Sequence, residues 1–431
     1  MEVRALRRVS YALLALAAAA CSIGSGIMVY HSAVEADVQA QIKAETMERL
    51  AQETWYLPLG EKYSGIHAIK GAGRELYGAF AGDEEVLMDR SGKVTLKIPK
   101  SMTVFDMSLG WISGEMDTGS EGGGLLLYQD KESEKVGYMD LEGNVILKAR
   151  YDLATAFDDG YAVREADIKG CAGVQAPIDE SGQVLYDTSK LDRWPDLYTS
   201  AAQVEGRYFL LKSRGAGGRR LFDARKKAVI KEWPSDEPWF ELRALGEERF
   251  AKTNGDGFLL LDENFETMEE STPFVWMDRF SEGLCYVRWT EAGKVFSGYI
   301  DGDGQVQLQM PDVFYGGRFT EGKAFLWEED KVCVIDRTGR KLFEKQLSKP
   351  LDEDSCRPDD YADTVPAELE ECWYRDGLAI CWDGTHFGII DKRGDWVIRP
   401  AFSRASFSGK DAAVVEVDGK EGIWKAGGNH A

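Results

Sequence analysis

Histidines, cysteines and paired carboxylates are the side chains from which a catalytic or metal centre is assembled, and this 431-residue chain has only four of the first: His31, His67, His386 and His430. Four scattered imidazoles give little material for general acid–base catalysis or a multi-histidine metal site. Asp301-Gly302-Asp303-Gly304 has the opening of a calcium loop, but the twelfth position from Asp301 is Asp312 rather than glutamate, and the same four residues fit a tight turn. The acidic runs Glu132 to Glu134, Asp352 to Asp354 and Glu368 to Glu371 read as solvated surface. Glycoside hydrolysis needs two carboxyls at a defined separation, and no motif fixes such a pair. Neither a Gly-x-Ser-x-Gly elbow nor a Walker loop occurs. The expectation is no catalytic residue, no cofactor and no metal. Twelve tryptophans, among them Trp276, Trp289, Trp327 and Trp382, could line a sugar platform, but packing in a core is the expected role.

The elements around these residues begin with a membrane signal. Arg4, Arg7 and Arg8 precede twenty-two uncharged residues, Val9 to Tyr30, long enough to cross a bilayer as one helix. A cleaved signal has a shorter apolar region, so a retained anchor is expected, with cleavage near Ala17 to Ala20 as the alternative. The basic flank leaves the amino end in the cytoplasm and the body outside. Residues 1–32 are therefore read as a signal anchor. Residues 33–54, free of Gly and Pro with Val34, Val38, Ile42 and Leu50 near helical spacing, form a juxtamembrane helix, either a stalk or packed on the body. The body, residues 55–431, belongs to a chain of net charge −22, and that acidity excludes a nucleic-acid partner because no basic face is available to neutralise phosphates.

Export permits disulfides. Cys171, Cys285, Cys333 and Cys381 sit in or beside apolar strand sequence, where a small buried residue is the default. Cys356 and Cys372 instead bracket the polar run Arg357 to Glu371, and a disulfide closing it is expected, with two free thiols as the alternative.

The body repeats one unit. An apolar residue followed by Asp recurs as Met88-Asp89, Met139-Asp140, Ile178-Asp179, Phe222-Asp223, Leu261-Asp262, Ile300-Asp301, Ile335-Asp336 and Ile390-Asp391, at intervals of 35 to 55 residues. Six of the eight aspartates have Gly three residues on: Gly92, Gly143, Gly182, Gly304, Gly339 and Gly394. Asp first and Gly fourth suit a type I turn closed by a left-handed residue, so Asp140, Asp301, Asp336 and Asp391 with their glycines are read as structural turns. Alternating apolar residues follow, such as Val145 and Leu147 or Val306 and Leu308, with the period of a half-buried strand. A second signal, an aromatic residue, two residues and Gly, recurs at Phe157 to Gly160, Phe280 to Gly283, Phe319 to Gly322 and Tyr374 to Gly377.

The run Gly388-Ile389-Ile390-Asp391-Lys392-Arg393-Gly394-Asp395-Trp396-Val397-Ile398-Arg399-Pro400, with Gly298-Tyr299-Ile300-Asp301 and Gly137-Tyr138-Met139-Asp140, resembles the unit of the bacterial WG-repeat family. The residue before Gly is Val136, Ser297 or Phe387 rather than the family's Trp. The resemblance implies an architecture and a non-catalytic role more than an activity.

Units of this size with three or four short strands match a propeller blade. The expected fold is all-β, a closed β-propeller of seven or eight blades after the transmembrane helix, with an open β-solenoid-like array as the competitor. The last hairpin, ending at Gly422-Ile423-Trp424, lacks a closing strand, which an amino-terminal segment such as Ile66 to Ile69 is expected to supply. In function, these readings converge on a single-pass, membrane-anchored extracytoplasmic module that binds or scaffolds an envelope protein or glycan. The alternative is an exported carbohydrate-active enzyme using a carboxylate pair.

Overall fold

The alternation of apolar and polar residues is realised as short antiparallel strands in a computed structural model that describes residues 40–41, 44–69, 75–104, 124–168, 171–186, 199–213, 218–237, 240–253, 257–268, 274–310, 313–351 and 367–426. The chain is mainly β, in eight small antiparallel sheets. One of them, seven-stranded, is two units joined through the single pair Phe258 and Phe274, so the described strands form nine units. In chain order the first eight cover residues 64–97, 102–151, 153–179, 199–233, 241–261, 274–310, 315–346 and 374–402. The ninth takes three strands from residues 404–425 and its fourth from Trp55–Gly60.

Unit 6 shows why these residues form strands. Its second strand, Leu284–Glu291, and third, Lys294–Asp301, are covered on both sides by neighbouring strands and carry an almost unbroken buried run from Leu284 to Arg288 and from Ser297 to Ile300. Its outer strand, Val306–Met310, is mostly exposed. The glycine of each family-like motif lies on a third strand where the outer strand approaches closely. A Cβ on Gly298 would stand 2.1 Å from the Leu308 carbonyl oxygen, and one on Gly137 2.5 Å from that of Leu147. No side chain fits there, which accounts for the motif residue.

Apolar faces pack unit against unit. Leu76 and Leu87 of unit 1 meet Leu126 and Met139 of unit 2. Tyr138 then meets Phe157 of unit 3, Val163 meets Phe209 of unit 4, and Leu210 meets Phe250 of unit 5. Units 5 to 9 share one large core containing Leu245, Tyr286, Phe325, Ile380 and Val415. Tyr77 and Val86 of unit 1 pack with Val414 and Ile423 of unit 9.

Two expectations are corrected by this arrangement. The count is nine units rather than seven or eight, because the final hairpin acquires a partner and becomes a unit of its own. That partner is not the segment at Ile66, which lies in Ser64–Ala68, the first strand of unit 1. Trp55–Gly60 fills the place instead, with Trp55 opposite Trp424 and Leu57 opposite Ile423. These residues present apolar side chains to the core and main-chain groups to the open edge of Lys420–Lys425.

The proposed membrane span lies outside the described residues; among the described residues, no helix is long and apolar enough to cross a membrane. The described end of the juxtamembrane segment is a helix over residues 44–50 that packs on the body. Thr46 and Leu50 are buried, Leu50 within the large core, while the other residues of the turn are exposed. Trp55 Nε1 donates to the Leu50 carbonyl oxygen at 2.9 Å, and Arg399 of unit 8 donates to Glu45 at 2.9 Å.

Candidate interaction face

In the six units that carry the glycine, the aspartate is consumed by its own turn. Oδ1 accepts from the backbone N–H groups two and four residues on: for Asp140 at 3.0 and 2.8 Å, Asp301 at 2.9 and 3.0 Å, Asp336 at 2.9 and 3.1 Å, and Asp391 at 2.9 and 2.9 Å. The glycine three residues on donates to the same aspartate's carbonyl oxygen at 2.9 to 3.1 Å. Its φ is positive, 88° at Gly143, 79° at Gly304 and Gly339, and 84° at Gly394. This is a type I turn followed by a left-handed residue, with the strand register slipping by one beside it. The Thr338 hydroxyl, ahead of the turn amides, holds the Asp336 carboxyl down at about 2. Asn144 lowers that of Asp140 in the same way.

Two units follow the grammar without its glycine. In unit 5 Asp262 accepts from Asn264 and Glu266 at 2.9 and 2.8 Å, and Phe265 takes the left-handed place with φ 61°. Its ring stacks on Phe250 at 4.1 Å and meets Tyr208 edge-on at 5.1 Å, and this packing holds a conformation that is uncommon for a bulky residue. In unit 4 the turn is one residue longer: buried Asp223 accepts from Lys226 at 3.0 Å, and Lys227 is left-handed.

The aromatic-x-x-Gly segments are two-residue hairpin turns with both central residues left-handed, as at Glu282-Gly283, Glu321-Gly322 and Asp376-Gly377. Unit 5 has Glu247-Glu248 in the equivalent turn, and acidic residues of these turns reach into the next unit. A Glu247 carboxylate oxygen accepts from the Gly283 amide at 3.0 Å, Glu282 from Gly322 at 3.0 Å, and Glu321 from Gly377 at 3.0 Å. Asp158 of unit 3 does the same for Gly206 of unit 4 at 2.5 Å. Between unit 9 and unit 1 the direction reverses, the Lys410 amide donating to Glu75 at 3.0 Å. Arg90 lies 3.2 Å from Glu75 and 3.5 Å from Asp411, and the Tyr56 hydroxyl donates to Asp411 at 2.5 Å. Burial, then the Asp411 hydrogen bond, pushes the Tyr56 hydroxyl up to about 12.

Because neighbouring strands run in opposite directions, the first and third turns of a unit open at the same end. Both turn families therefore share one face, and on it the repeat aspartates and Glu247, Glu282 and Glu321 are engaged by main-chain amides of their own or an adjacent unit. The calcium-like run is part of this: Asp301 Oδ2 accepts from Gln307 at 2.6 Å, and the Gly302 carbonyl oxygen accepts from Arg249 at 2.8 Å, so a cation already stands there. Sequence reasoning missed the inter-unit carboxylates, because Glu247, Glu282 and Glu321 are indistinguishable from surface charges until two distant turns are side by side.

The remaining candidates lie in the interior. Trp276 and Trp327 are buried, and Trp289 and Trp382 pack against the same core. Cys171 starts the strand Cys171–Asp179. Cys285, Cys333, Cys372 and Cys381 are buried free thiols. The Cys372 end of the expected bridge donates its thiol to the Glu368 carbonyl oxygen at 3.3 Å, and Cys356 lies outside the described residues.

Against known families, residues 137–163 and 387–420 match the model described as WG containing repeat. The chain carries WG repeats. The first segment runs from the motif glycine and Asp turn of unit 2 into the second strand of unit 3, and the second from the third strand of unit 8, Phe387–Asp391, to Lys420 of unit 9. No curated protein matches the sequence. Among solved structures, the WG-repeat chain is similar to the computationally designed Ika8 protein, at 12% identity and TM-score 0.39 over 85% of this chain and 97% of that one. It is similar also to apo AztD from Citrobacter koseri, at 17% identity and TM-score 0.34 over 67% and 87%. A third is the Cps50 (Swd1) β-propeller domain of Myceliophteria thermophila, at 12% identity and TM-score 0.29 over 87% and 99%.

Proposed function

We propose that this WG-repeat chain is a single-pass membrane protein whose extracytoplasmic body is a closed nine-unit propeller serving as a non-catalytic binding or scaffold module at the cell envelope. The observation that carries the non-catalytic reading is the engagement of the repeat carboxylates. Those of Asp140, Asp301, Asp336, Asp391, Glu247, Glu282 and Glu321 accept main-chain amides and hold turns together. A carboxylate held in this way has its lone pairs oriented by the backbone, toward the turn rather than toward a substrate. Ring closure is supported by the pairing of Trp55–Gly60 with Lys420–Lys425 and by the apolar cluster shared by units 9 and 1. Anchoring is supported by Arg4, Arg7 and Arg8 ahead of the uncharged run Val9 to Tyr30, and cleavage of that run would make the body a secreted one. The partner is an envelope protein or glycan.

The test uses the full chain. Protease added to intact cells removes the body if it faces outward, and survival of the body rejects the topology. Detergent-solubilised full chain, immobilised and offered envelope extract or wall glycan, retains one component saturably and releases it unmodified. Release of shortened glycan instead would replace the binding reading with the carbohydrate-active one.

A further inference from the structure

We propose that Cys372 and Cys381 are a disulfide-forming pair that staples the first hairpin of unit 8. The geometry comes from strand register. In that hairpin Tyr374 stands opposite Ala379 and Arg375 opposite Leu378, around the two-residue turn Asp376-Gly377. The ladder ends at Tyr374; carried two residues further in the same register, it would set Cys372 opposite Cys381. Tyr374 and Ala379 form the non-hydrogen-bonded kind of pair, since the Tyr374 amide points away from its partner strand to Thr320 Oγ1 at 2.8 Å. The Cys372 amide is held by the turn that ends the short helix Ala367–Glu370, donating to the Leu369 carbonyl oxygen at 3.2 Å, and so makes no ladder bond to the strand Leu378–Trp382. Directly opposed residues of this kind have Cα atoms about 4.5 Å apart, inside the range of about 4.4 to 6.8 Å that a disulfide spans. The two side chains also lie on the same face of the hairpin.

Contacts around the two sulfurs agree with the register. The backbone of Trp382, the residue after Cys381, hydrogen-bonds the Cys372 thiol, and Cys381 adds to the upward push on that thiol. Both are buried beside Tyr374, whose ring stacks with Phe325 at 5.5 Å. Burial pushes the Cys381 thiol up to about 12 and raises that of Cys372. In the folded protein neither supplies much thiolate, so oxidation belongs to the stage before unit 8 packs.

The oxidant is a small-molecule disulfide. The thiolate of one cysteine attacks it, forming a mixed disulfide and expelling one thiolate; the second cysteine attacks the protein sulfur of that mixed disulfide and expels the other. Two protein S–H bonds are lost, one S–S bond forms, and the oxidant leaves as two thiols.

The full chain, reduced in denaturant and refolded in a mixture of oxidised and reduced glutathione, tests this without reference to where the protein resides. Tryptic mapping without reduction separates the possibilities, because Arg375 lies between the two cysteines. Cys356 and Cys372 fall on one peptide, 346–375, since Lys349 and Arg357 each precede proline, whereas Cys381 falls on 376–392. The expected product is 346–375 joined to 376–392, retained in Cys356→Ser and lost in Cys381→Ser. Peptide 346–375 lighter by two hydrogens on its own, or both peptides with free thiols, overturns the pairing. Should Cys381→Ser fail to fold, the Cys356→Ser chain still shows whether 346–375 and 376–392 are joined through Cys372.

Discussion

Ile66 donates its backbone amide to Glu421 Oε2 at 2.6 Å, joining the first strand of unit 1 to the third strand of unit 9 across 355 residues of sequence. The same carboxylate takes Arg404 at 2.5 Å on its other oxygen. It is buried, so its removal leaves a main-chain donor without an acceptor. Glu421→Ala should lower stability by roughly 1.5 to 3 kcal/mol, the range for hydrogen bonds to charged groups. Glu421→Gln, which keeps an acceptor for Ile66, should lose less. Urea midpoints of the two variants check this, and equal losses would reject the amide contact as the source.

Removing residues through Gly60 should do more than clip a terminus. The edge of Lys420–Lys425 becomes unpaired, and Ile423 and Trp424 lose part of their cover, at a cost of about 1.5 to 3 kcal/mol for each large side chain left unburied. A chain beginning at Glu61 should aggregate, or melt well below one beginning at residue 40. Equal melting temperature and solubility would favour the open array, in which losing a terminal strand stays local.

Gly304 and Gly394 both sit at positive φ, yet their surroundings differ. A Cβ on Gly394 would stand 2.6 Å from the Phe343 ring, whereas on Gly304 the nearest atom is Leu260 Cδ2 at 3.4 Å. Valine at either site is strained, by about 1 to 3 kcal/mol. Gly394→Val should be the more destabilising, with an additional clash against unit 7. Unchanged denaturation midpoints in both would refute the left-handed turn.

The Asp336 carboxyl, held at about 2 by Thr338 and the turn amides, titrates below an unfolded aspartate near 3.9. The contribution of this turn is thus full above the unfolded value and disappears as pH falls toward 2. Asp336→Asn removes the titration. Its urea midpoint should fall less than wild type's between pH 5 and pH 2.5, and parallel curves would show that Asp336 does not contribute to acid unfolding.

The turns were legible in sequence because each is local: an Asp and a Gly three residues apart carry their own hydrogen bonds, and six units could be placed from that spacing. Unit 5 hid the signal by using Phe265 where the backbone wants glycine, a substitution sustained only by packing against Phe250 and Tyr208. The closing strand was misplaced because Trp55–Gly60 and Ser64–Ala68 both have strand character, and which one meets Trp424 is decided by packing far along the chain. The acidic links between units were not legible at all, since their acceptors belong to one turn and their donors to the next.

Pairing Trp55–Gly60 with Lys420–Lys425 also separates in time the synthesis of two partner strands. Trp55–Gly60 leaves the ribosome before the other described strands, but its partner Lys420–Lys425 follows some 360 residues later. Units 1 to 8 can fold in succession as they emerge, each closing mostly local contacts. The earlier strand must wait, unpaired and with its main-chain groups open, through translation of those residues. A chain stalled just short of Lys420 therefore has an open edge on Trp55–Gly60 and another on Ala412–Val417, a state suited to capture by a holdase that shields extended segments.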